Sequence, residues 1–595
     1  MTLRSEEFDD IYFSPEDGVA ETEYVFLAGN NLPAAWQDKP YFTICETGFG
    51  TGLNFFTTWE CFENSANTDQ HLHYISFEKH PLTTATIKSA LEPWAERFAD
   101  KIERLCAAYP LRIAGWHRIE IAPNISLTLI FDDINHAIPH LNTSIDAWYL
   151  DGFAPSKNPD MWRSELFTAM KRCALSSTSV ATFTAAGLVK RALTEYGFNV
   201  TKQDGFGRKR EMITAQYDGP SKRKAIIPKR NQNIAIIGGG LGGCAAAYTL
   251  NKAGHSVTLF EKESGVAQKA SGNMLGLYNP RFRKQLDGES LFYSSAFAYA
   301  HSFFEDFATR QGHDIGYKAC GALHVAHSEQ KQERFKAMIK NWAWHDDHLR
   351  WIEKKDSEAI CGIQLEHDAL YTPDSGHVSP RKLCAALMQD IEIKTLQHDL
   401  SSEGLKAQGY DHVILASGTG FAAFEEFADV ELSAVRGQIT GFSAQTLPPL
   451  KTVLCFSGYL TPALSTKDTD DTPRNIMYCG STFQPWSIDE QCADIDDQDN
   501  IAQVNSILPE TLKLQDPEVI DRRAGLRTTS RDHFPVIGPL DNARVYCSTA
   551  HGSHGLVSSL LGAVILNDLI SYGHVTCQPQ NSMDRLNPRR YLKDK

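Results

Sequence analysis

The chain has 595 residues, of which 42% are apolar and 22% are charged, and its formal net charge is −15. Since domains usually span roughly 100–200 residues, this length excludes a single compact unit and predicts two or three domains. The acidic balance excludes attraction of nucleic acid by the overall field, so any RNA contact has to come from local basic patches.

Targeting and metal-binding signals are sparse. The N-terminal sequence is acidic and lacks the apolar stretch of a signal peptide, and no run of 18 apolar residues predicts a membrane span. The 13 cysteines form no CxxC pair, which argues against a zinc site or a disulfide scaffold. We therefore expect a cytoplasmic protein with reduced thiols and no bound metal. The oligomeric state stays open, and a monomer is compatible with the sequence.

The first glycine-rich turn follows a predicted strand at 41–45 and precedes the helical sequence LNFFTTWECF. Four residues of this turn form the pattern ExGxGxG: Glu46, Gly48, Gly50 and Gly52. A second predicted strand ends at Glu78. The arrangement resembles the first motif of Rossmann-like methyltransferases that use S-adenosylmethionine (SAM). The resemblance implies that the turn contacts the methionine part of SAM and that Glu78 binds the ribose hydroxyls.

Acidic residues also end two later strands. The sequence SLTLIFDDI ends in Asp132 and Asp133, and we expect Asp133 at the adenine amino group of SAM. The strand AWYL is followed by Asp151. Because ligands of open α/β sheets bind beyond the carboxyl ends of strands, Asp151 is our candidate catalytic residue. The alternative is that Asp151 only caps a helix or forms a turn.

A boundary between two α/β domains is predicted at residues 217–232. This stretch contains two prolines, one glycine and five Lys or Arg residues, without a sustained apolar period. We therefore predict a methyltransferase domain at 1–216, a linker at 217–232 and a second domain at 233–595.

The second domain begins with a dinucleotide-binding pattern. The strand NIAII at 233–237 leads into a glycine-rich turn, a helix and a second strand that ends at Glu261. The glycines that fill GxGxxG are Gly238, Gly240 and Gly243. They permit a tight turn, a close approach of the backbone to a pyrophosphate and close helix–strand packing. The helix N-terminus then faces the phosphates, and Glu261 can accept hydrogen bonds from a ribose.

Five later segments resemble, in their order, the superfamily of D-amino-acid oxidase, glycine oxidase and sarcosine oxidase. They are KASGNMLGLYNPR, HVILASGTG, VRGQIT, RAGLRTTSRDHFPVIGP and HGSHGLVSSLLGAVILNDLI. The resemblance implies bound FAD, an α+β substrate subdomain and oxidation of a C–N bond beside a carboxylate. The further residues that it assigns to FAD are Ser271, Gly272, Asn273, Gly552 and Gly555.

A substrate carboxylate needs a partner, and the planar fork of an arginine suits it. The candidates are Arg436, Arg527 and Arg531. The alternative for each is a surface or structural ion pair.

The order ETGFGTGLNF, YLDGFAPSKNPDMW, FGRKREM, GGGLGG and KASGN is similar to that of the MnmC family of bifunctional tRNA wobble-uridine enzymes. The family implies that the FAD domain removes the carboxymethyl group of 5-carboxymethylaminomethyl-(2-thio)uridine. The SAM domain then methylates the resulting 5-aminomethyl group to 5-methylaminomethyl. The family's final turn often reads GSRG, whereas this chain has His554 in place of the arginine.

Contact with the tRNA anticodon region requires local basic or aromatic groups. Basic clusters lie at 208–210, 222–224, 229–230 and 589–590, and Phe153, Trp162 and Phe206 are candidates for stacking on a base. For each of these the alternative is ordinary solvated charge or core packing. The acidic stretch at 489–499 is predicted to be a solvated loop. Two other hypotheses are a small-molecule oxidase–methyltransferase fusion and a chain in which one half has lost catalysis.

Overall fold

The computed structural model describes residues 4–5, 10–11, 17–342, 344–396, 401–467, 473–540 and 544–591. The acidic N-terminal sequence lies largely outside these described residues. The chain divides into two compact units. The first comprises Met1–Lys229 and Asp568–Asn581, and the second comprises Arg230–Asn567 and Ser582–Lys595.

The first unit is a three-layer α/β structure. Its strands are β1 (Arg4–Ser5), β2 (Asp10–Ile11), β3 (Tyr41–Glu46), β4 (His71–Glu78), β5 (Gly115–Ala122), β6 (Ile125–Phe131), β7 (Ile145–Tyr149), β8 (Ala174–Thr182), β9 (Phe198–Asp204) and β10 (Glu211–Tyr217). Its helices are α1 (Gly18–Glu21), α2 (Leu53–Ser65), α3 (Thr84–Ala90), α4 (Ala95–Ala108), α5 (Ile134–Ala137), α6 (Ser164–Cys173) and α7 (Gly187–Glu195).

Eight of these strands form one sheet in the order β5-β6-β4-β3-β7-β8-β10-β9. The five central strands are parallel, and antiparallel strands complete both edges. Strand β3 is buried along its whole length, as expected where helices cover both faces of a parallel sheet. The chain leaves β3 for β4 on one side and returns to β7 on the other, so the crevice for a ligand opens at the carboxyl ends of β3 and β7.

The second unit contains a second parallel sheet and a larger, mostly antiparallel one. Its strands are β11 (Asn233–Ile237), β12 (Ser256–Glu261), β13 (Gly276–Tyr278), β14 (Ala322–Val325), β15 (Arg350–Ile352), β16 (Ala369–Thr372), β17 (Gly376–Val378), β18 (Glu392–Thr395), β19 (His412–Leu415), β20 (Leu432–Ser443), β21 (Val453–Cys455), β22 (Tyr459–Leu460), β23 (Leu464–Lys467), β24 (Pro473–Gly480), β25 (Val519–Ser530), β26 (Val536–Pro539) and β27 (Val545–Thr549). The remaining helices of the chain are α8 (Leu241–Lys252), α9 (Gly288–Glu305), α10 (Glu329–Trp342), α11 (Ser357–Cys361), α12 (Pro380–Leu387), α13 (Ser402–Ala407), α14 (Asp494–Asn505), α15 (Gly555–Tyr572) and α16 (Gln580–Leu586).

The parallel sheet has the order β18-β12-β11-β19-β27-β26, with only β26 antiparallel to its neighbour. A nine-stranded sheet, from β15 to β25, forms the substrate subdomain. The predicted strands at 41–45 and 233–237 are confirmed as β3 and β11, and the predicted fold class is confirmed for both halves.

Two features differ from the sequence-based expectations. The acidic stretch at 489–499 is not a solvated loop throughout, because α14 begins at Asp494 and both Asp496 and Asp497 are buried. Their carboxylates accept hydrogen bonds from Arg436 and Gln438, which repay the cost of burying them. In addition, the segment Asp568–Asn581 belongs to the first unit although it lies more than 300 residues beyond the linker.

Helix α15 was not expected to be long and apolar enough to cross a membrane, but by length and composition it is. Of its most apolar 18-residue window, 78% is buried inside the protein. That burial is typical of a central core helix, which is apolar on all sides.

Candidate active sites

In the first unit, the glycine-rich turn after β3 is held by Glu78. Gly50 and Gly52 have φ values of +54° and +81°, a region that favours glycine. The backbone N–H of Gly50 donates to Oε2 of Glu78 at 2.8 Å, and that of His80 donates to Oε1 at 2.8 Å. The structure therefore brings the turn and the second acidic residue together at adjacent strand ends.

Asn54, in the first turn of α2, joins the two carboxyl groups of the crevice. Its Nδ2 donates to Oε1 of Glu46 at 2.8 Å and to Oδ2 of Asp151 at 2.6 Å. Ser76 donates to the other oxygen of Glu46 at 2.7 Å, and Glu46 has no exposed surface. Burial and the nearby charge of Asp151 raise the pKa of Glu46 to about 8. Sequence reasoning missed Asn54, although its place just after the last glycine of the turn was a usable signal.

Asp151 is partly buried where β7 ends, with Thr47 donating to its carbonyl oxygen at 2.5 Å. Burial raises the pKa of its carboxyl to about 6, against the lowering effect of hydrogen bonds from the Gly152 N–H and Asn54. Gly152 has φ +123°, and a Cβ there would lie 2.6 Å from the Met161 side chain. The turn thus leaves little room beside Gly152, and burial of the Asp151 carboxyl keeps its pKa raised to about 6.

Asp133, at the end of β6, caps α5 by accepting a hydrogen bond from the Asn135 N–H at 2.9 Å. One of its oxygens also lies 3.2 Å from Nζ of Lys79. The pKa of Asp133 is lowered, because these bonds outweigh its burial. At Gly48, an added Cβ would lie 3.6 Å from the Cα of Gly152, so the turn after β3 passes close to the turn after Asp151.

The three aromatic candidates for base stacking differ in how far they are buried. Trp162 is 4% exposed and belongs to the core, so for this residue the alternative of core packing is confirmed. Phe206 faces Tyr24, with ring centroids 6.0 Å apart, and Tyr24 is 42% exposed. Phe153 lies partly buried in the turn after Asp151.

In the second unit, the GxGxxG turn leaves no room for a side chain at two of its glycines. Gly238 has φ +110°, and a Cβ on Gly243 would lie 1.9 Å from the carbonyl oxygen of Gly238. The N–H of Gly239 donates to Oε2 of Glu261 at 2.5 Å, and that of Leu241 donates to Oγ of Ser271 at 3.0 Å. A side chain at Gly238 would likewise clash with the carbonyl oxygen of Ala416, 2.4 Å from its Cβ, so both positions require glycine.

A cavity of about 1020 Å³ extends from this turn into the substrate subdomain. It lies at the upper end of the roughly 300–1,000 Å³ typical of ligand sites, which fits an extended dinucleotide. Of the residues assigned to FAD, those that line it are Gly238, Gly240, Glu261, Ser271, Asn273, Gly552 and Gly555. Gly243 and Gly272 do not. A Cβ on Gly272 would instead lie 2.3 Å from the Arg523 guanidinium. Glycine at this position therefore leaves room for Arg523 in the cavity wall.

The three candidate arginines have different environments. Arg527 lines the cavity, and its Nη2 donates to the carbonyl oxygen of Thr482 at 2.9 Å. Burial lowers its pKa, and within the described residues it has no carboxylate partner. Arg436 lies outside the cavity lining and is 3% exposed, and it forms an ion pair with Asp496 at 2.6 Å. The side chain of Arg531 is 76% exposed and lies 3.4 Å from Glu431.

His554 is partly buried in the final glycine-rich turn. Burial and the positive charge of Arg281 lower its pKa to about 3, and its ring packs edge-on against Tyr293 at 5.4 Å. Among the cavity residues, sequence reasoning also missed Tyr459, which lines the cavity with Arg527 and lies in a two-residue strand without a recognisable motif. Over the described ranges, no cluster of three His, Cys, Asp or Glu side chains is arranged to hold a metal.

Comparison with known proteins gives matches for both halves. A family described as S-adenosyl-L-methionine-dependent methyltransferase matches residues 96–218, and one described as FAD dependent oxidoreductase matches residues 233–569. Glycine oxidase from Geobacillus kaustophilus is 21% identical over 57% of this chain and 95% of its own, with a TM-score of 0.48.

Two curated relatives are similar over most of the chain. Both are named tRNA 5-methylaminomethyl-2-thiouridine biosynthesis bifunctional protein MnmC. The protein from Magnetococcus marinus is 34% identical over 92% of this chain and 85% of its own. The protein from Legionella pneumophila subsp. pneumophila is 32% identical over 99% of this chain and 96% of its own.

The fold and the family matches define a bifunctional enzyme in which a SAM-dependent methyltransferase precedes an FAD-dependent oxidoreductase. The chain belongs to the MnmC family.

Proposed function

We propose that this enzyme converts a wobble uridine of tRNA in two steps. The second unit removes the carboxymethyl group of 5-carboxymethylaminomethyl-(2-thio)uridine and leaves the 5-aminomethyl form. The first unit then methylates that amine with SAM to give 5-methylaminomethyl-(2-thio)uridine. Reaction order is thus opposite to domain order.

For the oxidation, Arg527 binds the substrate carboxylate inside the cavity. Its guanidinium is charged, partly buried and paired with a carbonyl oxygen rather than with a carboxylate. An incoming carboxylate therefore supplies the partner that burial makes favourable. FAD, when bound, would supply the acceptor for the hydride of the carbon between nitrogen and carboxylate. Water then cleaves the resulting C=N bond, releasing glyoxylate and the primary amine.

The residues that would hold FAD are those of the GxGxxG turn, with Glu261 at the ribose, together with Ser271, Asn273, Gly552 and Gly555 of the cavity lining. Arg523 orders one wall, because it donates to the carbonyl oxygen of Gln268 at 2.8 Å. His554 contributes packing rather than charge, since it is neutral at physiological pH.

For the methylation, Asp151 orients the amine and accepts its proton. An alkyl amine has a pKa of roughly 10 and is mostly protonated at neutral pH, so its lone pair has to be released. Asn54 orients the Asp151 carboxylate by donating a hydrogen bond to it. The Asn54 amide is itself fixed by a hydrogen bond that it donates to Glu46. SAM supplies the methyl group together with its own leaving group, so in-line positioning provides much of the rate. Gly48, Gly50 and Gly52 shape its site, with Glu78 and Asp133 at the ribose and adenine ends.

Binding of the anticodon region uses exposed cations. The cluster at 208–210 is exposed and lies in the first unit beside Phe206. Within this cluster Lys209 pairs with Glu21 at 2.7 Å, and in the other clusters Arg223 donates to Asn142 Oδ1 at 2.5 Å and Arg590 pairs with Asp532 at 3.1 Å. The exposure of the 208–210 cluster, and not a lack of partners, favours it as the RNA contact.

The unpaired Arg527 in a cavity lined by the FAD-binding residues is the observation that most favours this function. The test uses purified enzyme and tRNA from cells that lack it, incubated with and without SAM, with nucleosides identified by mass spectrometry. We expect the carboxymethyl nucleoside to disappear without SAM and the methylaminomethyl nucleoside to form only with SAM. Persistence of the carboxymethyl nucleoside, together with rapid oxidation of free glycine or sarcosine, would favour a small-molecule enzyme instead.

A further inference from the structure

An exposed apolar segment borders the oxidoreductase cavity. Eight large hydrophobic side chains are exposed among the described residues, and four of them lie within residues 483–495. Their exposed fractions are 56% for Phe483, 79% for Trp486, 78% for Ile488 and 61% for Ile495. Such clustering is uncommon on a surface that contacts only water and marks a site of interaction.

The segment is continuous with the cavity, because Phe483 and Glu490 both line it. Trp486 and Ile488 lie between those two residues in the chain and are not part of the lining. A molecule that fills the cavity and extends beyond it at this side therefore meets Trp486 and Ile488.

Arg436 fixes the backbone of this segment. Its Nε donates to the carbonyl oxygen of Asp489 at 2.6 Å, and its Nη2 donates to that of Gln491 at 2.5 Å. Its backbone N–H and C=O also pair with Gln484, at 3.2 and 2.9 Å. The exposed side chains thus stand on a backbone that is held by a buried charge. A preorganised apolar surface loses little conformational entropy when it binds a partner.

The charges around the segment indicate the chemistry of that partner. Lys269 pairs with Glu490 at 2.8 Å, and Arg522 pairs with Asp494 at 2.5 Å. Because these cations already have carboxylate partners, the rim offers little net attraction to phosphates or to an anionic lipid surface. An indole ring with neutral surroundings suits an unstacked nucleobase, which single-stranded RNA loops expose.

We propose that Trp486, supported by Ile488, stacks on a base of the anticodon loop that flanks the modified uridine while that uridine occupies the cavity. This inference rests on the proposed function and adds a contact to it. The second unit thereby recognises unpaired RNA by stacking rather than by charge.

The test measures tRNA binding by the full-length, FAD-loaded enzyme at several salt concentrations. We expect Trp486→Ala to raise Kd about 5- to 140-fold, which corresponds to the loss of one stacked base at about 1–3 kcal/mol. Trp486→Phe should restore most of the affinity. The slope of log Kd against log salt should not change, since the segment makes no phosphate contact. The control is Ile393→Ala, an exposed apolar residue on β18 in the same unit, which should bind as the wild type does.

Each result has a defined meaning. An unchanged Kd for Trp486→Ala overturns the inference, and a reduced salt slope assigns the segment an electrostatic role and overturns it as well. If the variant keeps its Kd but changes its sedimentation coefficient, a second copy of the chain covers the segment. If the wild type does not oxidise tRNA at all, the proposed function fails independently of Trp486.

Discussion

Arg118 and Asp568, 450 positions apart in the chain, form a buried ion pair within the first unit. Nη2 of Arg118 lies 2.9 and 2.7 Å from the two carboxylate oxygens, and both side chains are 2% exposed. Thr576 adds a hydrogen bond from its backbone N–H to Oδ2 of Asp568 at 3.1 Å. The methyltransferase unit is therefore completed by a segment from the other end of the sequence.

Breaking this pair should destabilise the first unit. We expect Asp568→Ala to lower the free energy of unfolding by about 3–5 kcal/mol, because it leaves the buried Arg118 charge with only the more distant Glu120 carboxylate, at 3.9 Å, as an ionic partner. Hydrogen exchange of the β5 amides, followed by mass spectrometry, measures the effect in this unit. The double variant Arg118→Met with Asp568→Leu should regain most of the stability. Asp100→Ala, which breaks an exposed pair with Arg104, should cost about 0–1 kcal/mol. Equal hydrogen exchange of the β5 amides in Asp568→Ala and Asp100→Ala would show that the buried pair contributes little to stability.

Methylation should depend on the ionisation of Asp151. The carboxylate has to be deprotonated to accept a proton, so the single-turnover rate should rise with pH through about 6 and level off above it. Asp151→Asn should lower the rate roughly 10²- to 10⁴-fold while leaving the oxidation step intact.

Asn54→Ala removes a hydrogen bond that lowers the pKa of Asp151, so the acidic limb of the methylation profile should move to higher pH. Asp160→Asn, an exposed carboxyl nearby in the chain, is the control and should not shift the limb. An acidic limb that stays in place after Asn54→Ala would argue against Asp151 as the titrating base.

Of the three candidate arginines, only Arg527 should affect substrate binding directly. Truncating one partner of a buried charge pair costs about 2 kcal/mol or more, so Arg527→Ala should lower kcat/KM for oxidation at least about 30-fold. Arg527→Lys should recover only part of this, since an ammonium cannot bind bidentately. Arg531→Ala is the matched control and should behave as the wild type does. A similar loss in both alanine variants would place the carboxylate elsewhere.

Gly243→Ala should abolish FAD binding, because its Cβ would lie 1.9 Å from the Gly238 carbonyl oxygen. The ratio of flavin to protein absorbance after purification measures this. Gly265→Ala is the control, since its Cβ would meet only the Gln268 side chain at 3.6 Å. Normal flavin content in Gly243→Ala would mean that the turn tolerates a wider helix–strand spacing.

Local motifs were readable because their chemistry lies within a few residues. The turns at Gly50 and Gly238 follow buried strands directly, and their positive φ values require glycine. Buried parallel strands read as apolar runs, so β3 and β11 were predictable as well. The burial of α15 inside the protein could not be predicted from the sequence, because length and composition alone do not distinguish a core helix from a membrane span.

The sequence by itself determined the two Rossmann-type folds, their cofactors and the family, because each depends on glycine and acid spacings within one strand–turn–helix unit. Only the tertiary structure decided which of the three candidate arginines lines the cavity. Arg436 and Arg527 lie on the paired strands β20 and β25, yet one is committed to α14 and the other lines the cavity. It also decided that Asp568 completes the first unit. Contacts between residues distant in the chain depend on packing, which no local spacing encodes.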